Sequence, residues 1–483
     1  MIQSVVHSAV RKIALLAMGA AGLGAALVGS PPAGAAATGP MLVPLVQVAP
    51  DDPAGTATTD PACTTPEPVH TSKFFHCYTP ADIYAAYGVD AVHAAGLTGK
   101  GQTIVIVDSF GSPTVQQDLD FFSKTFGLPQ TTIQIEHPNG APTFNPSAFF
   151  GTEVGWAFET SLDTQWAHAI APDAHIVLVE ANPWETEGVQ GFPSMFAGEE
   201  FAIQNHPGSV MSQSFAVTEQ SFQGSSIFPQ LAKFDQVYQD AVANKVTVFG
   251  SSGDSGTANV IDPLGSKLVP FPTVTWPSSD PLVTSAGGTW LQFGWTWDPT
   301  SANPLGYTTT PGSRTEAVWN ESYLPAATGG GRSAIFPTPG FQSGISSNVL
   351  AGRRGIPDLS WNAAVNGGVD VFTSFPGTRL GWHIVGGTSA SSPQLAALTA
   401  LASEKAGEPV GYLNPLLYTL PSGDFTDIVP QTFNGVTVAN NMQAGTGISG
   451  FPTTVGWDLT TGFGSPIAMN YVTDLALAVQ ARH

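Results

Sequence analysis

Three short apolar runs, each ending on a polar residue, constrain this chain more than any other feature. They are Thr103-Ile-Val-Ile-Val-Asp108, His175-Ile-Val-Leu-Val-Glu180 and Lys245-Val-Thr-Val-Phe-Gly250. Runs of this length, rich in β-branched residues and without alternation, read as strands of a parallel sheet buried on both faces. Amphipathic stretches lie between them, among them Phe234 to Asn244, whose apolar positions recur at helical spacing. Strand, helix, strand repetition predicts an α/β fold with a mostly parallel central sheet and helices on both faces. Such sheets carry their sites outside the carboxyl ends of the strands, which draws attention to Asp108 and Asp254, each just past a predicted strand end.

The chain has 483 residues, enough for two or three average domains or for one large hydrolytic one. Asp and Glu number 36 against 15 Lys and Arg, a net charge of −21, so nucleic acid is excluded as an expected partner. Few cations also means little self-repulsion once carboxylates protonate, which suits an acidic workplace, although a negative surface equally serves solubility. At the amino end Arg11 and Lys12 precede an apolar stretch from Ile13 to Val28 and the run Ala33-Gly34-Ala35-Ala36-Ala37, the order of a secretory signal over 1–37. No later segment is long and apolar enough to cross a bilayer, so a secreted, extracellular monomer is expected. Residues 38–77 read as a Pro/Thr/Ala-rich linker or short arm with a disulfide expected between Cys63 and Cys77, the only two cysteines. That closure stabilises by about 3 kcal/mol in the chain-entropy account. Residues 78–483 are read as one catalytic domain, in which Gln292 to Ile335, lacking any clear period, are expected to be surface loops.

Gly386-Gly387-Thr388-Ser389-Ala390-Ser391-Ser392-Pro393, followed by a helical run, presents Ser389 at a helix N-terminus, where free N–H groups face an oxyanion. A plain N-capping serine has the same local look. A nucleophilic serine needs a base, and no histidine is followed by Gly-Thr here. His168 and His175 read as structural, one near a helix end and one opening a strand. Glu159 and Asp163, four apart on a predicted helix, share one face and can share a proton, raising the pKa of one of them. Such a pair works in acid, where histidine is already protonated. Alone, two acids at this spacing are more often a solvated face. Gly250-Ser251-Ser252-Gly253-Asp254-Ser255-Gly256 turns Asp254 inward after a strand, and a protonated aspartate there can donate to an oxyanion.

Together these segments, with Glu-x-x-Leu-Asp, Ser-Ser-Gly-Asp-x-Gly, Gly-Thr-Ser-x-x-x-Pro, Pro281 to Thr289 and Gly329-Gly-Gly331 leading to Phe336-Pro337, resemble the sedolisins, serine-carboxyl peptidases of the subtilisin-like clan. The resemblance implies a subtilisin-like fold, protein or peptide substrates, Ser389 as nucleophile, Glu159 as general base, Asp163 as its partner and Asp254 as oxyanion donor. It also implies one Ca²⁺, held by the carboxylates of Asp427 and Asp458 and by carbonyls of Ile428, Thr454 and Gly456, although turn-capping aspartates would read alike. Val107-Asp108-Ser109 resembles the triad aspartate of subtilisins, and Asp108 is expected to act on Glu159 rather than on substrate. Ser212-Gln-Ser214-Phe215 is expected to form a cleft edge where an extended peptide adds as a strand. Two other readings remain: a subtilisin-like protease with a histidine base, and a secreted binding protein of this fold without catalysis. The large prosegment common in the family has no room between the predicted signal and Tyr78.

Overall fold

A computed structural model describes residues 43–49, 75–147, 152–181, 192–222, 228–261, 267–301 and 306–482. The predicted signal and Cys63 lie outside them; Cys77 is disulfide-bonded. The apolar runs form strands β1 (Thr103–Ser109), β3 (His175–Ala181) and β5 (Thr247–Ser251), joined by β2 (Gln134–Glu136), β4 (Val210–Gln213), β6 (Thr284–Trp297), β7 (Tyr307–Val318) and β8 (Leu359–Asn362). The order across the sheet is β7-β6-β5-β4-β1-β3-β2, with β8 on the first half of β6. Every pairing is parallel except β6 with β7.

Alternation along the strands sorts the core onto two faces. Ile104, Ile106, Ile176 and Leu178 pack with helices α1 (Val115–Phe126), α2 (Thr152–Ile170), α5 (Thr388–Ala406) and α6 (Ala468–Gln480). Val105, Val107, Val177 and Val179 face α3 (Phe192–Asn205) and α4 (Phe228–Ala243). The predicted α/β class and parallel sheet are therefore as expected. The loops expected between Gln292 and Ile335 are not: β6 and β7 form a long antiparallel ladder. Trp290 and Trp295 on β6 are buried and most of its residues are covered on both sides, so the polar-apolar alternation that marks a half-exposed strand never appears.

The chain runs from β1 outward to β2 and β3, then restarts at β4 on the other side of β1. That reversal opens a crevice beyond the carboxyl ends of β1 and β4, which places Asp108 and Ser212 to Ser214 at its floor.

Candidate active site

Helix α5 begins inside this crevice because four strands hold its first turns. The Ser392 hydroxyl pairs with that of Ser212 on β4 at 2.8 Å, and Ser251 on β5 donates to the Thr388 carbonyl at 3.0 Å. Ser391 donates to the Gly287 carbonyl of β6 at 2.7 Å, and Trp361 of β8 donates to the Gln394 side chain at 3.0 Å. Gly387 caps the helix at φ +98°, a left-handed conformation that glycine adopts without strain. Pro393 falls in the second turn rather than the first, so its missing N–H leaves the Ser389 carbonyl without the usual helical donor.

Helix α2 packs against α5 and carries Glu159 and Asp163, both wholly buried. Burial pushes the Glu159 carboxyl well above the ordinary range, the Asp163 and Asp108 carboxylates push it further, and the Ser389 hydroxyl beside it pulls it down. Asp163 is raised by burial and by Asp108, and is relieved by the Ser214 hydroxyl and by Glu159 itself. Asp108, at the end of β1, is pushed up to about 7 by burial, against the Thr160 hydroxyl. Three acids thus share one desolvated space and cannot all ionise together. The Ser389 hydroxyl and both Glu159 oxygens are buried without a well-formed hydrogen bond, a loose geometry common in sites awaiting substrate.

Asp254 reaches the residue before the serine. Its Oδ1 accepts from the Thr388 N–H and hydroxyl, each at 2.8 Å, while Oδ2 is buried with no well-formed hydrogen bond. Burial raises this carboxyl to about 7, opposed by the Thr388 bonds and the Gln47 side chain. With Oδ1 engaged by Thr388, Oδ2 is the atom that would carry the proton of a neutral Asp254. The turn is shaped for this: Gly253 has φ +111°, and its N–H donates to the Thr388 hydroxyl at 3.1 Å. Gly329, from the triple-glycine segment, lies so close that a Cβ would sit 1.9 Å from the Ser252 carbonyl.

The structure brings together Ser389, Glu159, Asp163, Asp254 and Asp108. It also gives partners to side chains that the sequence offered without a role, Thr388 and Ser214 inside quoted segments and Thr160 beside Glu159, and it adds Gln47 from the stretch read as a linker or short arm, which carried no signal. His175 opens β3 at the amino end of the sheet and bonds Gln134 at 2.8 Å, while His168 bonds the Pro129 carbonyl at 2.8 Å. The cleft edge is Phe215–Thr218 rather than 212–215, because Ser212 and Gln213 belong to β4 inside the main sheet.

The expected metal ligands lie apart from these acids in sequence and meet around one turn. Asp427 accepts from the Gly456 N–H at 2.9 Å and Asp458 Oδ2 from the Thr454 N–H at 2.8 Å. Asp458 Oδ1 takes the N–H groups of Thr460 and Thr461 at 2.8 and 2.9 Å. Among the described residues no group of three or more His, Cys, Asp or Glu could hold a metal. Both carboxylates thus accept N–H groups of the turn, the arrangement of turn-capping aspartates, while oxygen is the donor type that a hard cation such as Ca²⁺ takes.

A parallel sheet of this order, with a helix-borne serine facing buried paired acids, is the architecture of serine-carboxyl peptidases in a subtilisin-like frame. No protein-family model matches the chain. Kumamolisin of Bacillus sp. (strain MN-32) is 32% identical over 411 residues, covering 82% of this chain and 63% of that protein. Sedolisin of Pseudomonas sp. (strain 101) is 27% identical over 380 residues, covering 76% and 57%. The structure of Pseudomonas sedolisin, a serine-carboxyl proteinase complexed with two molecules of pseudo-iodotyrostatin, matches in fold with a TM-score of 0.63 at 23% identity, over 83% of this chain and 98% of that one. The chain belongs to the sedolisin family. It spans about three fifths of the length of these two curated relatives.

Proposed function

We propose that the chain is an acid-acting serine-carboxyl endopeptidase, with residues 78–483 as its catalytic domain and protein or peptide substrates. The observation that carries this is the meeting of Ser389 with the Glu159–Asp163–Asp108 acids at the N-terminus of a buried helix. The cluster acts once it has given up one proton, which leaves one carboxylate shared among the three sites. As Ser389 Oγ attacks a peptide carbonyl, Glu159 takes the hydroxyl proton and Asp163 and Asp108 stabilise the charge by sharing it. The oxyanion receives a proton-bearing Asp254 and the helix N-terminus, in a site whose dryness strengthens both. Glu159 then returns the proton to the leaving amine, and water repeats the sequence on the ester.

The test is a pH-rate profile on denatured protein for the wild type, Glu159→Ala, and His168→Ala with His175→Ala. An acidic optimum lost only in Glu159→Ala supports the reading. A neutral optimum lost with the histidines points to a conventional base, and wild type as inert as Ser389→Ala across pH 2–8, where these groups titrate, leaves a binding protein.

Asp427 and Asp458, with the Ile428, Thr454 and Gly456 carbonyls, would hold one Ca²⁺, which supplies structure to the 454–458 turn and no chemistry at Ser389. Export through the 1–37 signal and a monomeric state complete the proposal. No helix among the described residues is long and apolar enough to cross a membrane.

A further inference from the structure

The triple-glycine segment carries no acid and no nucleophile, yet it grips one of the catalytic candidates. The Ala327 N–H donates to the Asp254 carbonyl at 3.0 Å and the Gly329 N–H to the Gly253 carbonyl at 2.6 Å, while the Ser252 hydroxyl donates to the Gly329 carbonyl at 2.8 Å. All three residues of the 252–254 turn are therefore tied to 327–329. Thr388 holds the Asp254 carboxyl from the other side. Asp254 is thus placed between the helix of the nucleophile and the glycines.

What holds the glycines in turn is a loop, residues 439–453. Its neck is a short ladder: the Thr453 N–H donates to the Ala439 carbonyl at 2.8 Å, Asn440 pairs antiparallel with Pro452, and the Asn441 N–H donates to the Phe451 carbonyl at 3.3 Å. Met442 at the start of the tip is exposed, but Asn441 is 0% exposed. Its amide nitrogen donates to the Thr328 and Gly330 carbonyls, each at 3.2 Å, and its Oδ1 accepts from the Phe451 N–H at 2.8 Å. Two carbonyls that face one buried side chain call for two donors without a charge, which an amide supplies; a hydroxyl has only one, and an ammonium or guanidinium would bring a charge into the interior. The fit leaves little slack. A Cβ on Gly330 would sit 2.3 Å from the Leu459 carbonyl oxygen and 3.2 Å from Asn441 Nδ2, and one on Gly256, two residues past Asp254, would sit 2.1 Å from the Asn441 carbonyl oxygen. The loop is pinned on its outer side as well, where the Thr257 hydroxyl donates to the Ser449 carbonyl and the Asn320 amide to the Asn440 and Met442 carbonyls, each at 2.9 Å.

We infer that Asn441 is a positioning residue for the peptidase reaction: its amide fixes the 328–330 backbone, which fixes the 252–254 turn and so the place of the Asp254 carboxyl relative to Ser389. The inference rests on Asp254 being the oxyanion donor of the proposed mechanism. Asn441 itself neither moves a proton nor meets the oxyanion. Without its two donors, a backbone of three glycines has no side chain of its own to anchor it, and the turn it supports can shift. A displacement of about 1 Å at reacting groups costs on the order of a hundredfold in rate. Because the charge that Asp254 stabilises develops in the transition state, the loss falls on kcat rather than on KM.

The test uses the full-length protein as wild type, Asn441→Ala, Asp254→Ala, the double variant of these two, and Asn441→Asp. For each, kcat and KM on denatured protein are measured across the range where carboxyls titrate, with the Tm alongside. Asn441→Ala should lose at least about tenfold in kcat in acid with KM within about threefold, and the double variant should be within about twofold of Asp254→Ala, since both changes act through one group. Asn441→Asp keeps the acceptor for Phe451 and, while protonated, one of the two donors, so it should lose part of its kcat in acid and the rest as its carboxyl ionises. Asn441→Ala with a lowered Tm but wild-type kcat makes the residue structural and overturns the inference, as does a double variant in which the two losses multiply. Should Asn441→Ala fail to fold, Asn441→Asp decides: wild-type kcat at every pH overturns the inference. Wild-type kcat in Asp254→Ala sinks the oxyanion reading and the positioning role with it, whereas an impaired Asp254→Ala beside an unimpaired Asn441→Ala sinks the positioning role alone.

Discussion

At the residue scale, chemistry is set by acids that burial has made weak. In the proposed mechanism Glu159 is the base, and Glu159→Gln keeps the shape of its neutral form but cannot accept a proton, so kcat should fall on the order of 10³-fold with little change in folding. The oxyanion role proposed for Asp254 needs the opposite protonation state. Its carboxyl titrates near 7, so the donor at Oδ2 is lost as pH rises through neutrality. Asp254→Ala should cost on the order of 10²–10³ in kcat at pH 4. Asp254→Asn, a donor at every pH, should retain more of its acid activity at pH 7.5 than the wild type does; an identical alkaline fall in both would remove Asp254 from the oxyanion role. All are read from steady-state kinetics across pH.

At the element scale, the start of α5 is the part that tolerates least. Gly387 combines φ +98° with a Cβ position already occupied by the Leu45 carbonyl and Asp254 Oδ2. Gly387→Ala should therefore lose activity by more than tenfold, with backbone strain of about 1–3 kcal/mol added to the displacement of both groups. The sheet edge beneath it depends on another buried arrangement. Arg354 and Asp358 are both 0% exposed and pair at 2.5 Å, and Asp358 also accepts from the Ser285 N–H of β6 at 2.8 Å and the Tyr418 hydroxyl at 2.7 Å. Arg354→Ala strands that carboxylate in the interior and should cost about 3–5 kcal/mol, seen as a lowered denaturant midpoint. On the segments around Asp427 and Asp458, where one Ca²⁺ is proposed, chelation or Asp427→Ala should lower the Tm, and the two effects should not add.

At the scale of the whole molecule, buried acids make the fold itself an acid-adapted object. Asp108 and Asp254 titrate near 7 and Glu180 and Asp280 near 8, all raised first by burial, against ordinary values near 4. Between those limits the native chain binds more protons than the unfolded one, so stability declines as pH rises from about 4 toward 8. The Tm should be highest in acid and fall through neutrality, and a Tm that rises from pH 4 to 8 would contradict the burial of these groups. The sequence by itself determined the parallel sheet and the catalytic candidates. Val and Ile runs buried on both faces and glycines beside a serine leave local marks, and Glu159 and Asp163 share a helix whatever surrounds it. It did not determine the β6–β7 ladder, because Trp290 and its neighbours are covered on both sides and lose the alternation that announces a strand. Nor could it pair Thr388 with Asp254, or seat Leu45 beside Gly387. Those contacts join positions more than a hundred residues apart, and only packing of the helices onto the sheet brings them within bonding distance.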